Sequence, residues 1–228
     1  MSESPPMERS QQRRHEEKEQ RREAIIDAAE QVLATSDFDS ARMEEVAKVA
    51  RVSRALVYLY FKNKQELDLA ICVRALRALR QHFVDSAARH ATGYAKVASL
   101  GHTYIQFAKD FPVYFAVLSR FESHPFDTLE PSSTELAVFE AGSAVHAVTV
   151  ECLQIGMRDG SIRADLEQPL SAALSLWAFV HGLIQIAHNK QHFLEQVGIP
   201  PTQYTDYAID LVMRGLRPVA GTRAPSDA

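Results

Sequence analysis

Apolar residues recur at helical spacing along most of the chain. The first regular face combines Ile25, Ala28, Ala29, Val32 and Leu33, and it stops at Ser36 and Asp37. Further helices are predicted over about residues 43–50, 53–58, 63–89, 94–109, 112–123, 134–158, 169–190 and 202–216. No segment alternates apolar and polar residues as a half-buried strand does, and there is no internal repeat. The sequence therefore predicts an all-α fold of nine helices.

The segments outside these helices are polar or rich in turn residues. Residues 1–8 are expected to be disordered, and residues 9–23 form either a solvated helical extension or a frayed arm, since Arg13, Glu17 and Arg21 pair at i,i+4 spacing. Residues 125–133 are predicted to be a loop, residues 191–202 a connection, and residues 218–228 a loose tail.

Charge is unevenly distributed. Residues 42–64 carry six lysines and arginines against two glutamates, a net charge of +4, although the whole chain has a net charge of −4. A chance fluctuation on a solvated face would account for this. A local binding surface for an anionic partner, on a body that otherwise repels anions, is the alternative.

Composition excludes several protein classes. The chain is long enough to bury a core without disulfides or metals, and its two cysteines, Cys72 and Cys152, lack motif spacing. The N-terminal residues have no apolar signal region, and no stretch reaches the roughly 18 uncharged apolar residues of a membrane span. A cytoplasmic protein that needs no membrane, metal or cofactor is expected.

Residues 43–58 have the geometry of a helix-turn-helix, in which a second short helix enters the DNA major groove. A helix pair in a bundle would show the same periodicity. DNA is favoured because the second helix is too short to be stable alone, because it presents Ser53, Arg54, Tyr58 and Tyr60, and because it lies within the basic segment.

These residues resemble the N-terminal domain of the TetR (tetracycline-repressor) regulators from Arg22 to Leu69. The most specific block is Val57-Tyr58-Leu59-Tyr60-Phe61-Lys62-Asn63-Lys64-Gln65-Glu66-Leu67. Two positions depart from the family pattern: Arg51 stands where a turn glycine is usual, and Ala55 where glycine is frequent. A positive φ at Arg51 would cost about 1 kcal/mol. The resemblance implies an arm over residues 1–20, a DNA-binding domain over 21–68, a ligand-binding and dimerisation domain over 69–217, and a tail over 218–228.

The DNA-contacting residues expected from this reading are Arg42, Ser53, Arg54, Tyr58, Tyr60 and Lys64. Ser53 and Lys64 lie at helix N-termini, which attract phosphate, and Arg54 is long enough to reach a guanine edge or a phosphate. Core packing is the alternative role for Tyr58. The arginines of residues 13–22 either reach the minor groove or are part of a solvated extension.

The eighth and ninth predicted helices are apolar on two sides, which suggests that one face meets the body and the other meets a second copy. The resemblance implies the same four-helix homodimer interface. Its expected residues are Leu176, Phe179, Leu183, Tyr207, Leu211 and Val212. A twofold dimer would bind a palindromic operator in double-stranded DNA.

An effector cavity is expected among helices five to eight, where aromatic and histidine residues are concentrated. The predicted lining is Phe107, Phe121, His146, Trp177 and His181, although core residues have the same appearance in a sequence. The function indicated is a DNA-binding transcriptional regulator of the repressor type, the most frequent in the family, released by a small apolar effector. An all-α enzyme is the first alternative, but the sequence contains no catalytic motif. A helical adaptor that does not bind DNA is the second, but it would not need the basic residues.

Overall fold

The computed structural model describes residues 6–36, 38, 40–122 and 131–218, without the side chains of residues 6–10. These residues form helices and, within the described ranges, no strand, which confirms the all-α class. Most of the predicted 125–133 loop, the first five residues and the tail from residue 219 lie outside the described residues. The helices are α1 (Pro6–Thr35), α2 (Met43–Val49), α3 (Arg54–Tyr60), α4 (Lys64–Ala88), α5 (Gly93–Asp110), α6 (Pro112–Glu122), α7 (Ser133–Asp159), α8 (Pro169–Asn189), α9 (Gln191–Gln196) and α10 (Pro201–Arg214).

The described residues contain one helix more than the nine predicted. Helix α9 lies inside the segment predicted to be a connection, and it has only six residues. Leu194 anchors it, with 6% of its side chain exposed. A helix of this length shows too little periodicity to be recognised, so the predicted ninth helix corresponds to α10.

Helix α1 is continuous from Pro6, well before its apolar face begins at Ile25. Its polar part is exposed and is held by pairs one turn apart, such as Arg13 Nε to Glu17 Oε1 at 2.8 Å. Of the two possibilities for residues 9–23, the structure therefore has the solvated helical extension.

The chain divides into two compact units, the N-terminal unit Met1–Cys72 and the C-terminal unit Val73–Ala228. Helix α4 begins in the first unit and ends in the second. The predicted domain boundary after residue 68 falls within the same helix.

The N-terminal unit packs α1, α2, α3 and the start of α4 around a small apolar core. Ile25, Val57 and Phe61 are at most 1% exposed. Burial of Val57 and Phe61 attaches the short α3, which could not be stable in isolation. The arginine side chain of Arg22 covers the ring of Phe61 from outside, 5.3 Å from its centre.

In the C-terminal unit, α5 packs on α7, α8 and α10, and α7 packs on α8. Two glycines allow α5 and α7 to approach closely: a Cβ atom on Gly93 would lie 2.0 Å from the backbone nitrogen of Gly156. The Gly93 N–H also donates to Asp159 Oδ2 at 2.8 Å. Helix α5 also contacts α8, where the rings of Tyr104 and His181 have centres 6.1 Å apart.

Helices α7 and α8 are each long and apolar enough, by length and composition, to cross a membrane. Both lie in the C-terminal unit and pack against other helices there. Core helices of globular proteins meet the same criterion, so the composition does not by itself indicate a membrane span.

Candidate DNA-binding surface and effector cavities

Helices α2 and α3 form a helix-turn-helix with its second helix held by one buried residue. Ser53 caps α3, since its Oγ accepts a hydrogen bond from the Leu56 N–H at 3.2 Å. Val57 is fully buried beneath the helix. The opposite side of α3, formed by Arg54, Ala55, Tyr58 and Leu59, is exposed.

The turn between these helices contains Arg51 with a φ of +55°, a left-handed conformation. Among the described residues it is the one non-glycine residue with a positive φ. The turn is closed by a hydrogen bond from the Val52 N–H to the Ala47 carbonyl at 3.0 Å. The turn therefore forms with arginine in place of the usual glycine, and the left-handed conformation costs about 1 kcal/mol of folding free energy.

Arg54 lies on the exposed side of α3, but its guanidinium already has partners. Its Nη1 is 2.9 Å from Glu44 Oε1 on α2. It also lies over the Tyr58 ring, 5.3 Å from the ring centre. Tyr58 is 39% exposed, so it is a surface residue and not the core residue that was the alternative.

Lys64 opens α4 and links it to the segment before α2. Its ammonium donates to the backbone carbonyl of Phe38 and lies 3.7 Å from Asp68 Oδ2. It is half-buried, and the Asp68 carboxylate partly neutralises its charge. Arg42, at the start of α2, is exposed, whereas Tyr60 is half-buried.

Leu59 was not among the predicted DNA contacts, yet 78% of its side chain is exposed. It stands beside Tyr58 and one turn after Ala55 on the open side of α3. Its exposure could have been predicted from the sequence, because in a helix that buries Val57 the residue two positions later points to the opposite side. Solvent exposure of so large an apolar side chain is costly unless a partner covers it.

The structure brings three of the predicted effector residues together, since the ring of His181 lies 5.9 Å from that of Trp177. The rings of His146 and Trp177 meet edge to face, with centres 5.5 Å apart. They line an apolar cleft of about 50 Å³ together with Tyr104, Leu176 and Val212, among others. Two residues expected at the dimer interface, Leu176 and Val212, thus line this cleft.

The other two predicted effector residues, Phe107 and Phe121, do not line this cleft. Phe107 packs with Phe111 and Tyr114 in an aromatic cluster, with ring centres 5.0 and 6.2 Å away. Neither Phe107 nor Phe121 lines the cleft or the larger cavity described below. In a sequence, an aromatic residue of the core cannot be distinguished from one that lines a cavity.

His181 is buried and fully hydrogen-bonded. Its Nδ1 is 2.9 Å from the Tyr104 hydroxyl. Its Nε2 is 3.2 Å from the Gln185 amide nitrogen and 3.3 Å from Ser119 Oγ. A neutral imidazole has one donor and one acceptor nitrogen, so its two sides make complementary hydrogen bonds. Burial lowers the pKa of His181, which favours this neutral form.

A second and larger cavity of about 690 Å³ lies in the C-terminal unit. It is bounded by the ends of α5 and α8, the middle of α6 and the starts of α9 and α10. Its lining is Ile105, Ala108, Lys109, Pro112, Phe115, Ala116, Ser119, Ile184, Gln185, Ala187, His188, Asn189, Gln191, Pro201, Thr202 and Thr205.

The predicted dimer residues do not all lie on one surface. Phe179, Tyr207 and Leu211 are 36%, 63% and 53% exposed. Leu183 is buried, at 5% exposure, so the expectation that it forms the interface is wrong: it faces the core of its own unit. Gly182 beside it opens outward, since an added Cβ would meet nothing within 4 Å.

Two family models match the chain. The model of bacterial regulatory proteins of the tetR family matches residues 25–71. The model of tetracyclin repressor-like C-terminal domains matches residues 97–212, which is half of the chain.

Individual relatives are similar mainly in the N-terminal part or in fold. The fatty acid metabolism regulator protein of Bacillus subtilis (strain 168) is 30% identical over 74 residues, which are 32% of this chain and 38% of that protein. The chain spans about two fifths of the length of the curated relatives it matches.

Solved structures share the fold over most of the chain. A protein of unknown function from Rhodococcus sp. RHA1 superimposes with a TM-score of 0.70 at 24% identity, over 86% of this chain and 95% of that one. The transcriptional regulator FadR from Bacillus subtilis, in complex with stearoyl-CoA, gives a TM-score of 0.66 at 17% identity, over 85% and 98%.

Proposed function

Because the chain belongs to the TetR family of bacterial regulatory proteins, we propose that it is a homodimeric repressor that binds a palindromic operator and leaves it when a small effector binds. As a member of this family it is a DNA-binding transcriptional regulator. We place it in the cytoplasm, where its DNA would be, and assign it no enzymatic activity. The observation that carries the proposal is the exposed side of α3.

That side of α3 is suited to reading bases in the major groove. Arg54 supplies donors for a guanine edge or a phosphate, and Tyr58 supplies a hydroxyl. Leu59 and Ala55 supply apolar contact, which in the major groove is offered by the 5-methyl group of thymine. The combination favours a half-site that contains at least one A·T pair opposite Leu59.

The first experiment identifies the operator and tests this reading. Selection from random duplexes with the full-length protein should enrich a palindrome. Replacement of one thymine by uracil in each half-site removes a methyl group and should weaken binding about fourfold per contact, from about 0.8 kcal/mol per buried methyl group. Leu59→Ala should abolish this thymine-to-uracil difference. Failure to enrich any sequence would refute the proposed function.

Lys64 provides a matched test of backbone contact. We expect Lys64→Ala to weaken binding to all duplexes and to lower the slope of log affinity against log salt by about 0.9. Lys96 is a suitable control, since its Nζ donates to the Ala87 carbonyl within the C-terminal unit. An unchanged slope would remove Lys64 from the interface.

Dimerisation through α8 and α10 follows from their exposed apolar residues. Phe179, Tyr207 and Leu211 would each lose water contact in a helix-on-helix interface. Gly182 would let the partner helix approach closely. A twofold axis through this surface would give two copies of α3 at a fixed separation, as a palindrome requires.

Release by an effector requires that the ligand favour a state with lower DNA affinity. DNA must then weaken effector binding by the same factor. Helix α4 runs without interruption from Lys64 to Ala88, a length of about 38 Å. A small tilt at its end in the C-terminal unit would therefore displace its start, where Lys64 lies, by several ångströms. Such a displacement would alter the distance between the two recognition helices.

A further inference from the structure

The C-terminal unit contains two cavities of very different size. The cleft beside Trp177 measures about 50 Å³, whereas the cavity at the ends of α5 and α8 measures about 690 Å³. Small-molecule sites in proteins are usually about 300–1,000 Å³. The larger cavity is therefore the one in which a whole ligand fits, although none of the residues predicted to contact the effector lines it.

The walls of the larger cavity have a distinct chemical character. Half of the lining is apolar, including Ile105, Phe115 and Ile184. The remainder consists of neutral polar side chains and two basic ones, Lys109 and His188, both of which are exposed at the rim. Among the described residues that line it there is no aspartate or glutamate. In a chain with 29 acidic and 25 basic residues, this absence favours an anionic ligand.

The inner wall of the cavity is hydrogen-bonded to the smaller cleft. Ser119 and Gln185 line the cavity, and both contact Nε2 of His181. Nδ1 of His181 contacts the hydroxyl of Tyr104, which lines the cleft. A ligand that engages Ser119 or Gln185 would therefore contact side chains that also hold His181, and it would bear on α5, α6 and α8 together.

We propose that this cavity binds an amphipathic carboxylic acid, with its carboxylate at Lys109 and its hydrocarbon chain along Ile105, Phe115 and Ile184. The inference rests on the proposed function, because it makes this acid the class of effector. It differs from the apolar effector expected beside Trp177 in both the site and the charge of the ligand.

Calorimetric titration of the full-length protein tests the proposal with three ten-carbon probes: decanoate, decanol and decylamine. We expect decanoate to bind at least tenfold more tightly than decanol, and decylamine more weakly still. Lys109→Gln should reduce decanoate binding to the level of decanol and leave decanol unchanged. Lys48→Gln removes the same charge from an exposed lysine of the N-terminal unit and should have no effect.

A cavity-filling variant tests the location independently of charge. Ala116 lines the cavity and is half-buried, so Ala116→Trp should abolish binding of decanoate and decanol. Circular dichroism checks that this variant is folded, and the Lys109→Gln result checks that the ligand binds at this site. Equal affinity of the three probes, no binding of decanoate to the wild type, or decanoate binding that is insensitive to Lys109→Gln would each overturn the proposal. If the protein bound decanoate but selected no DNA sequence, the proposed ligand site would stand and the proposed regulatory function would be refuted.

Discussion

Replacement of Arg51 by glycine should stabilise the N-terminal unit, although it removes a side chain. Arg51 has a φ of +55°, which costs a non-glycine residue about 1–2 kcal/mol. Glycine avoids that cost but gains freedom in the unfolded chain, which offsets about 0.4–1 kcal/mol. Since Arg51 is exposed and the turn hydrogen bonds are made by the backbone, no packing is lost. We expect a net gain of about 0.5–1 kcal/mol.

This gain in the free energy of unfolding is measured by urea unfolding of the full-length protein, monitored through a spectroscopic signal from the N-terminal unit. Arg51→Ala is the matched control, because it removes the same charge and retains a Cβ at positive φ. The glycine variant should be more stable than the alanine variant, whereas both should lose DNA affinity equally through the lost charge. Equal stability of the two variants would refute the assignment of backbone strain to Arg51.

Three further predictions concern the C-terminal unit. Gly93→Ala should destabilise this unit by several kcal/mol, because the new Cβ would lie 2.0 Å from Gly156 N. In the control Gly142→Ala the nearest atom is 4.0 Å from the new Cβ, so stability in calorimetric melting should rise by up to about 1 kcal/mol. Burial lowers the pKa of His181, so its contribution to stability is complete above its ordinary pKa near 6.5 and is lost as the pH falls through its lower folded value. In a plot of the urea unfolding midpoint against pH, His181→Gln should flatten the curve over this pH range. Gly182→Arg should give a folded monomer in sedimentation, while Gly182→Ala stays a dimer; a dimeric arginine variant would exclude this face of α8 from the interface.

The long helices of this fold could be predicted because their apolar periodicity persists over several turns. Helix α8 is one example: its predicted range of 169–190 ends one residue after the observed Pro169–Asn189. Proline at its first position and a run of apolar residues marked it clearly. Helix α9 has six residues and a single buried apolar anchor, Leu194, so it left no periodic signal.

The cavities could not be predicted in the same way. Trp177 and His146 were correctly expected to lie close together, but Phe107 has the same apolar character and packs against other aromatic rings. The large cavity depends on where helices end and how far their ends separate, as at Lys109 and His188. That separation is a property of tertiary packing and is not encoded in the type of any one residue.

The basic side chains near α3 differ in what DNA binding would require of them. Arg54 is paired with Glu44 at 2.9 Å, and Lys64 lies 3.7 Å from Asp68. In each case the carboxylate partly neutralises the basic side chain and would itself lie near the DNA. Arg51, by contrast, has no such pair among the described residues and brings its full charge.

Removal of Arg54 should therefore weaken DNA binding by more than one lost contact, because it leaves the Glu44 carboxylate uncompensated beside the phosphates. The double variant Arg54→Ala with Glu44→Gln should recover part of that loss, and its salt slope should exceed that of Arg54→Ala alone. No comparable recovery is expected when Glu44→Gln is combined with Arg51→Ala, since these two side chains are not paired. Additive effects in the first pair, measured by gel shift over a range of salt concentrations, would show that the Arg54–Glu44 ion pair does not limit the approach of DNA to α3.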